Sequence, residues 1–167
     1  VRFEAQPDYT AAMLDGFIND IRYLHQLVEI AVQNLDEYQL QTPYRPECCT
    51  VAQVLHHLAD SHMNGYVRMT LALTEEQPVI KPYEEAAWAE LPDVKFTPIN
   101  TSLTLLHALH IRWVNLMEHL TAAEWERTFI HPANGTKNNL KIHAANYAWH
   151  GRHHLEHILR LKERMGW

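Results

Sequence analysis

Met13, Leu14, Phe17, Ile21, Leu24, Val28, Ala31 and Leu35 recur every three or four residues near the start of the chain, the spacing of a helix that buries one stripe. This predicts a first long helix from about Thr10 to Leu35. A second begins at Thr50, where Thr-x-x-Gln (Thr50 to Gln53) forms a capping box, and runs to about Leu73. A third is predicted from Asn100, taken as N-cap, to Leu120, with Leu103, Leu106, Leu109 or His110, Trp113, Leu116 and Leu120 inward. After a short turn of helix opened by Thr121 to Glu124 comes the turn-rich stretch HPANGTKNN. A fourth long helix then follows from Leu140 to about Arg164, N-capped by Asn139.

Only five glycines, and no sustained two-residue alternation, exclude a β-rich fold. The expectation is all-α: a four-helix bundle, with residues 1–167 as a single domain. Between the second and third long helices, EQPVIKPY and LPDVKFTP carry four prolines around a short helix predicted over Tyr83 to Leu91. A connection of ~25 residues is far longer than the 2–8 typical between antiparallel neighbours, so this is a crossover and those two helices are expected to run parallel.

Composition narrows the chemistry. Lys and Arg number 14 against 20 Asp and Glu, a net charge of −6 that offers no electrostatic footprint for nucleic acid or anionic membrane. No apolar run approaches the ~18 residues of a transmembrane helix, and VRFEAQPDYT lacks a basic stretch followed by an apolar one, so a cytoplasmic location is expected. The two cysteines, Cys48 and Cys49, are adjacent and close no useful disulfide loop. Histidine is the outlier: full protonation of all 13 would carry the charge from −6 to +7.

Four of those histidines stand in YAWHGRHHLEHI of the fourth helix. His150 and His154 are four apart, as are His153 and His157, which puts each pair on one face as shared metal ligation requires. At 100° per residue, His154 lies about 40° from the apolar centre set by Leu140, Tyr147, Ile158 and Met165, His150 about 80°, His157 about 100° and His153 about 140°. The inward pair is therefore His150 and His154. Two imidazoles do not close a site, and a third ligand must come from another helix. The second helix offers His56, His57, His62 and Asp60; spacing alone favours His62, which falls with Val51, Leu55, Leu58, Tyr66 and Met69, whereas His57 lies toward Val54 and Ser61. Asp60 and Glu156 are read as solvated charges or as partners that orient an imidazole N–H. Trp113, Trp125 and Trp149 are read as core or interface packing.

Five segments, TPYRP, TVAQVLHHLADSHMNGYVR, LALTEEQPVIKPYEEAAWAEL, HPANG and YAWHGRHHLEHI with the terminal RMGW, together resemble the DinB/YfiT-like family of four-helix-bundle metal-dependent enzymes over nearly the full length. The resemblance implies a divalent ion, zinc or nickel, held by His57 of HHL with His150 and His154, and it overrules spacing by preferring His57 to His62. It further implies a small-molecule substrate, a homodimer consistent with exposed aromatics at Trp88 or Trp149, and one of two reactions. Transfer of a bacillithiol-type thiol in detoxification is favoured; metal-dependent hydrolysis and a non-enzymatic metal-binding stress-response role are the alternatives. Where relatives carry a Gly-Gly-Trp-Thr-like lead into the second helix, this chain has Glu47, Cys48, Cys49 and Thr50.

Overall fold

The computed structural model describes residues 2–133 and 135–167. Eight helices and one hairpin follow in order among them: α1 (Ala11–Val32), α2 (Glu37–Leu40), α3 (Val51–Thr74), α4 (Glu85–Trp88), α5 (Pro92–Phe96), α6 (Ile99–Glu118), α7 (Ala122–Trp125), β1 (Thr128–His131), β2 (Thr136–Asn139) and α8 (Leu140–Met165). The long helices α1, α3, α6 and α8 make the bundle. Their starts are set by side-chain caps: the Thr10 hydroxyl accepts from the Met13 amide, Thr50 and Gln53 close a reciprocal box, and Asn139 accepts from Ile142. The expected cap at Asn100 is displaced. Pro98 is the N-cap residue of α6 and contributes no side-chain bond, and Asn100 lies in the first turn.

Cross-helix contacts set the directions. Asp20 pairs with Arg152 and the Ala31 carbonyl accepts from Lys162, so α1 and α8 run parallel. His56 meets Ser102, His62 meets His110 and Trp113 donates to Met69, so α3 and α6, joined by the crossover, also run parallel. Against them α3 and α8 are antiparallel, with His57 beside His150 and Gly65 beside His143. Each long helix packs on two neighbours in the circuit α1, α6, α3, α8.

Two regions differ from expectation. The crossover forms two short helices, because Pro92 occupies the first turn of α5, where its missing N–H costs nothing. The stretch from Thr128 to Asn139 is an antiparallel hairpin, with Thr128 opposite Asn139 and His131 opposite Thr136; Asn134 of its HPANG segment lies outside the described residues. The hairpin is fastened to the crossover: the Ile80 amide donates to the Ile130 carbonyl at 3.1 Å, and the Ile130 amide to the Pro78 carbonyl at 2.9 Å. Met165, used as a marker of the inner face of the fourth helix, is instead exposed near its end.

The apolar core falls into two clusters. One gathers Leu14, Ile18, Met69, Trp113, Phe129, Leu140 and Tyr147; the other gathers Leu24, Val28, Leu55, Leu58, Leu106 and Ile158. Between them lies a layer of histidines from all four long helices. Close approach there depends on Gly65: a Cβ at this position would stand 2.5 Å from Cζ of Tyr147 and 2.7 Å from Cη2 of Trp113. Gly65→Ala is expected to lower stability by about 1–3 kcal/mol, the usual penalty of overpacking, in spite of alanine's better helix propensity. A thermal or urea midpoint unchanged or raised in the variant would contradict that packing.

Candidate metal centre

Two helices supply the site. On α8, His150 and His154 follow one another at a single turn, and on α3 His57 faces them across the groove. One ring nitrogen from each lies within 4.8 Å of the other two. His57 Nε2 and His150 Nε2 are 3.1 Å apart, close to the ~3.3 Å between two nitrogens bound tetrahedrally at 2.0–2.1 Å to one zinc-like ion.

Burial holds these rings neutral. It pushes His150 down to about 3 and His154 down to about 2, with neighbouring imidazoles adding to the effect, and it lowers His57 against the opposing pull of Glu85. Neutral imidazoles present lone pairs rather than charges, as a cation requires. His154 Nδ1 is buried with no hydrogen-bond partner. Three neutral donors and an orphaned ring nitrogen fit a divalent ion.

His62 takes a different place. It is fully buried behind His150: its Nε2 stands 3.4 Å from His150 Nδ1 and its Nδ1 2.9 Å from His110 Nε2. If His150 offers Nε2 to an ion, its Nδ1 carries the proton toward His62. His62 Nδ1 then donates to His110, so one tautomer is propagated along three rings. His56 turns to α6, bonding Ser102 at 2.8 Å. His153 and His157 lie side by side with Nε2 atoms 3.0 Å apart, stacked on Trp149 and Tyr44 respectively.

Asp60 and Glu156 separate cleanly. Glu156 is exposed and pairs with Arg160 at 2.6 Å. Asp60 is half-buried and shares a small cavity with His57, Tyr83, Glu85 and Trp88; burial, assisted by Asp93, raises its carboxyl to about 6. The crossover thus roofs this side of the site, with Tyr83 and Trp88 rings 4.6 Å apart. Trp88 and Trp149 are half-buried rather than exposed, so they do not form the open aromatic face expected of a dimer contact, while Trp113 and Trp125 belong to the core. Cys48 and Cys49 stand outside the histidine cluster; Arg45 Nε donates to Cys48 Sγ at 2.8 Å and holds that thiol below its usual range.

Three histidines escaped the sequence argument: His110 was only an alternative to Leu109, and His25 and His143 were not singled out, although all three are buried. For His143 a signal existed, since it lies two turns before His150 on the same face.

Residues 21–158 match the model of the DinB superfamily. The chain belongs to that family. This DinB-superfamily chain is 48% identical over 99% of its length to a Bacillus cereus (strain ATCC 10987 / NRS 248) protein named "Putative metal-dependent hydrolase", covering 95% of it. A protein of the same name from Bacillus mycoides (strain KBAB4) is 49% identical, with 95% of this chain and 90% of the relative aligned. Among solved structures, YfiT from Bacillus subtilis, described as "a probable metal-dependent hydrolase with an unusual four-helix bundle topology", superposes with a TM-score of 0.96 at 42% identity over 99% of this chain and 94% of that one. Among the described residues no helix is long and apolar enough to cross a membrane.

Proposed function

We propose that the protein is a divalent-metal-dependent hydrolase of a small molecule, with His57, His150 and His154 as the ligands. The observation that carries this reading is the convergence of three neutral ring nitrogens within 4.8 Å, from two helices, in a site that the crossover covers. A divalent ion with three protein ligands supplies a Lewis acid and brings the pKa of water at its open position toward ~7. The chain's own residues do the rest. His62 orients His150 through Nδ1, and Tyr83 and Trp88 exclude bulk water. Asp60, with its carboxyl near 6, is mostly ionised at neutral pH and positioned in the same cavity to accept a proton.

Thiol transfer, the reaction favoured by the first resemblance, would use the same ligands and the same open position with a low-molecular-weight thiol as nucleophile. The relatives' names favour water. Aryl ester and amide panels, run on zinc- and nickel-loaded protein with and without bacillithiol, separate the two. Turnover by water alone, abolished by chelator and reduced about 10²–10⁴-fold in Asp60→Asn with metal content unchanged, is the expected result. Turnover of monochlorobimane only when the thiol is present would replace hydrolysis by transfer. Light scattering on the same samples tests the expected homodimer.

A further inference from the structure

One cation without an ion pair has part of its guanidinium shut away from water. Arg68 of α3 makes no ion pair among the described residues, and its Nε is buried without a hydrogen-bond partner. It lines a pocket of about 400 Å³ between α3, α8 and the hairpin, and no Asp or Glu lines it in a chain that carries 20 of them. A second orphan, the buried Nδ1 of His131, lines the same pocket. The amides of Asn138 and Asn146 supply further donors, and Phe3 and Trp149 apolar wall. Arg68's charge adds to burial in pushing His131 down, and in bringing His143 to about 4, so the pocket is electropositive without being protonated.

An unpartnered, buried guanidinium N–H is costly unless a ligand completes it. Its planar fork fits a carboxylate with two parallel hydrogen bonds, and the aromatic walls fit an apolar body. The pocket also borders the histidine layer: Tyr147 lines it together with Arg68, and the Tyr147 ring lies 5.9 Å from that of His150.

We propose that this pocket binds the carboxylate of a small molecule with an apolar or aromatic body, anchored by Arg68, and that the substrate of the metal centre carries such a group. The second half rests on the hydrolase reading; the binding itself does not. Phenylacetate, its neutral counterpart phenylacetamide and inorganic phosphate are titrated separately into metal-stripped and zinc-loaded protein, followed by calorimetry and by the nitrogen-15 resonances of Arg68 Nε and the Asn138 and Asn146 side chains. Phenylacetate is expected to bind and shift these signals, with phenylacetamide weaker by about tenfold or more, and Arg68→Met and Asn146→Asp to lose about tenfold or more, while Arg68→Lys, which keeps the charge but not the two-pronged fork, falls between wild type and Arg68→Met. Asn146→Asp places a carboxylate in the pocket without touching the guanidinium, so it decides the matter should Arg68→Met fail to fold. Equal binding of acid and amide, binding of phosphate alone, or wild-type affinity in both variants overturns the proposal. Zinc uptake without phenylacetate binding overturns this proposal alone, whereas phenylacetate binding without zinc uptake overturns the metal reading alone.

Discussion

Untagged protein purified without a nickel column is expected to hold about one divalent ion per chain by elemental mass spectrometry, and His154→Ala or His57→Ala to hold none after dialysis. The size of the effect follows from the donor set. Two ligands remaining from three leave half of the ion's tetrahedral positions to water, and the protein loses the advantage of a preformed site. The informative control is His62→Ala. Because His62 touches His150 only through its Nδ1 side, the variant is expected to keep the ion with affinity weakened about 10–100-fold, the range found when a ligand's orienting partner is removed. Complete loss in His62→Ala with retention in His57→Ala would exchange the two roles. Absence of any ion in folded wild type after incubation with zinc or nickel would remove the catalytic reading altogether.

That contrast between His57 and His62 also marks how far the sequence could be read. The four long helices and two of their caps, at Thr50 and Asn139, were legible because each signal is local: a 3.6-residue stripe, or a hydroxyl or amide next to the first turn. His150 and His154 were legible for the same reason, lying one turn apart on one helix. His57 was not. A single stripe on α3 points at His62, but α3 packs against α6 on one side and α8 on the other, so its buried face is wider than a stripe and its edge turns the ligand toward α8. Only the HHL resemblance supplied it. The hairpin was missed because TFIH and TKNN are short and partly polar, and β1 is held by bonds to Pro78 and Ile80 far away in sequence; the Asn134-Gly135 dipeptide was the local signal available. Asp60 and Arg68 show the same limit for charge. Asp60 is read as a solvated charge or an orienting partner and Arg68 is not singled out, because it takes the crossover, in one case, and the hairpin with α8, in the other, to draw them away from water.

The metal-stripped protein is expected to lose stability steeply as pH falls below about 6.5 and to unfold near pH 4–5. Two buried histidines outside the ligand set, His110 and His143, set the window. Burial brings His110 down to about 3 and His143 down to about 4, against ~6.5 in an unfolded chain. Because the folded pKa values are lowered, the unfolded state binds the extra protons, so this stability is fully present above about pH 6.5 and is lost as pH falls toward the folded values. Each group contributes up to about 1.4 kcal/mol per pH unit in that window, and together about 5 kcal/mol over two units, comparable with the lower end of the ~5–15 kcal/mol of a whole domain. His62, also held well below the usual imidazole range by burial, acts in the same direction. The window from pH 6.5 to 5 separates these groups from ordinary carboxylates, which titrate lower. His143→Gln tests the assignment: His143 Nε2 stands 2.8 Å from the Gly65 carbonyl, and glutamine keeps a donor there without a titrating ring. Urea unfolding at half-unit pH steps should show the slope of stability against pH reduced in the variant by about 1.4 kcal/mol per unit, one proton's worth. A slope identical to wild type would mean that His143 takes up its proton in the folded state and that acid sensitivity arises elsewhere in the histidine layer.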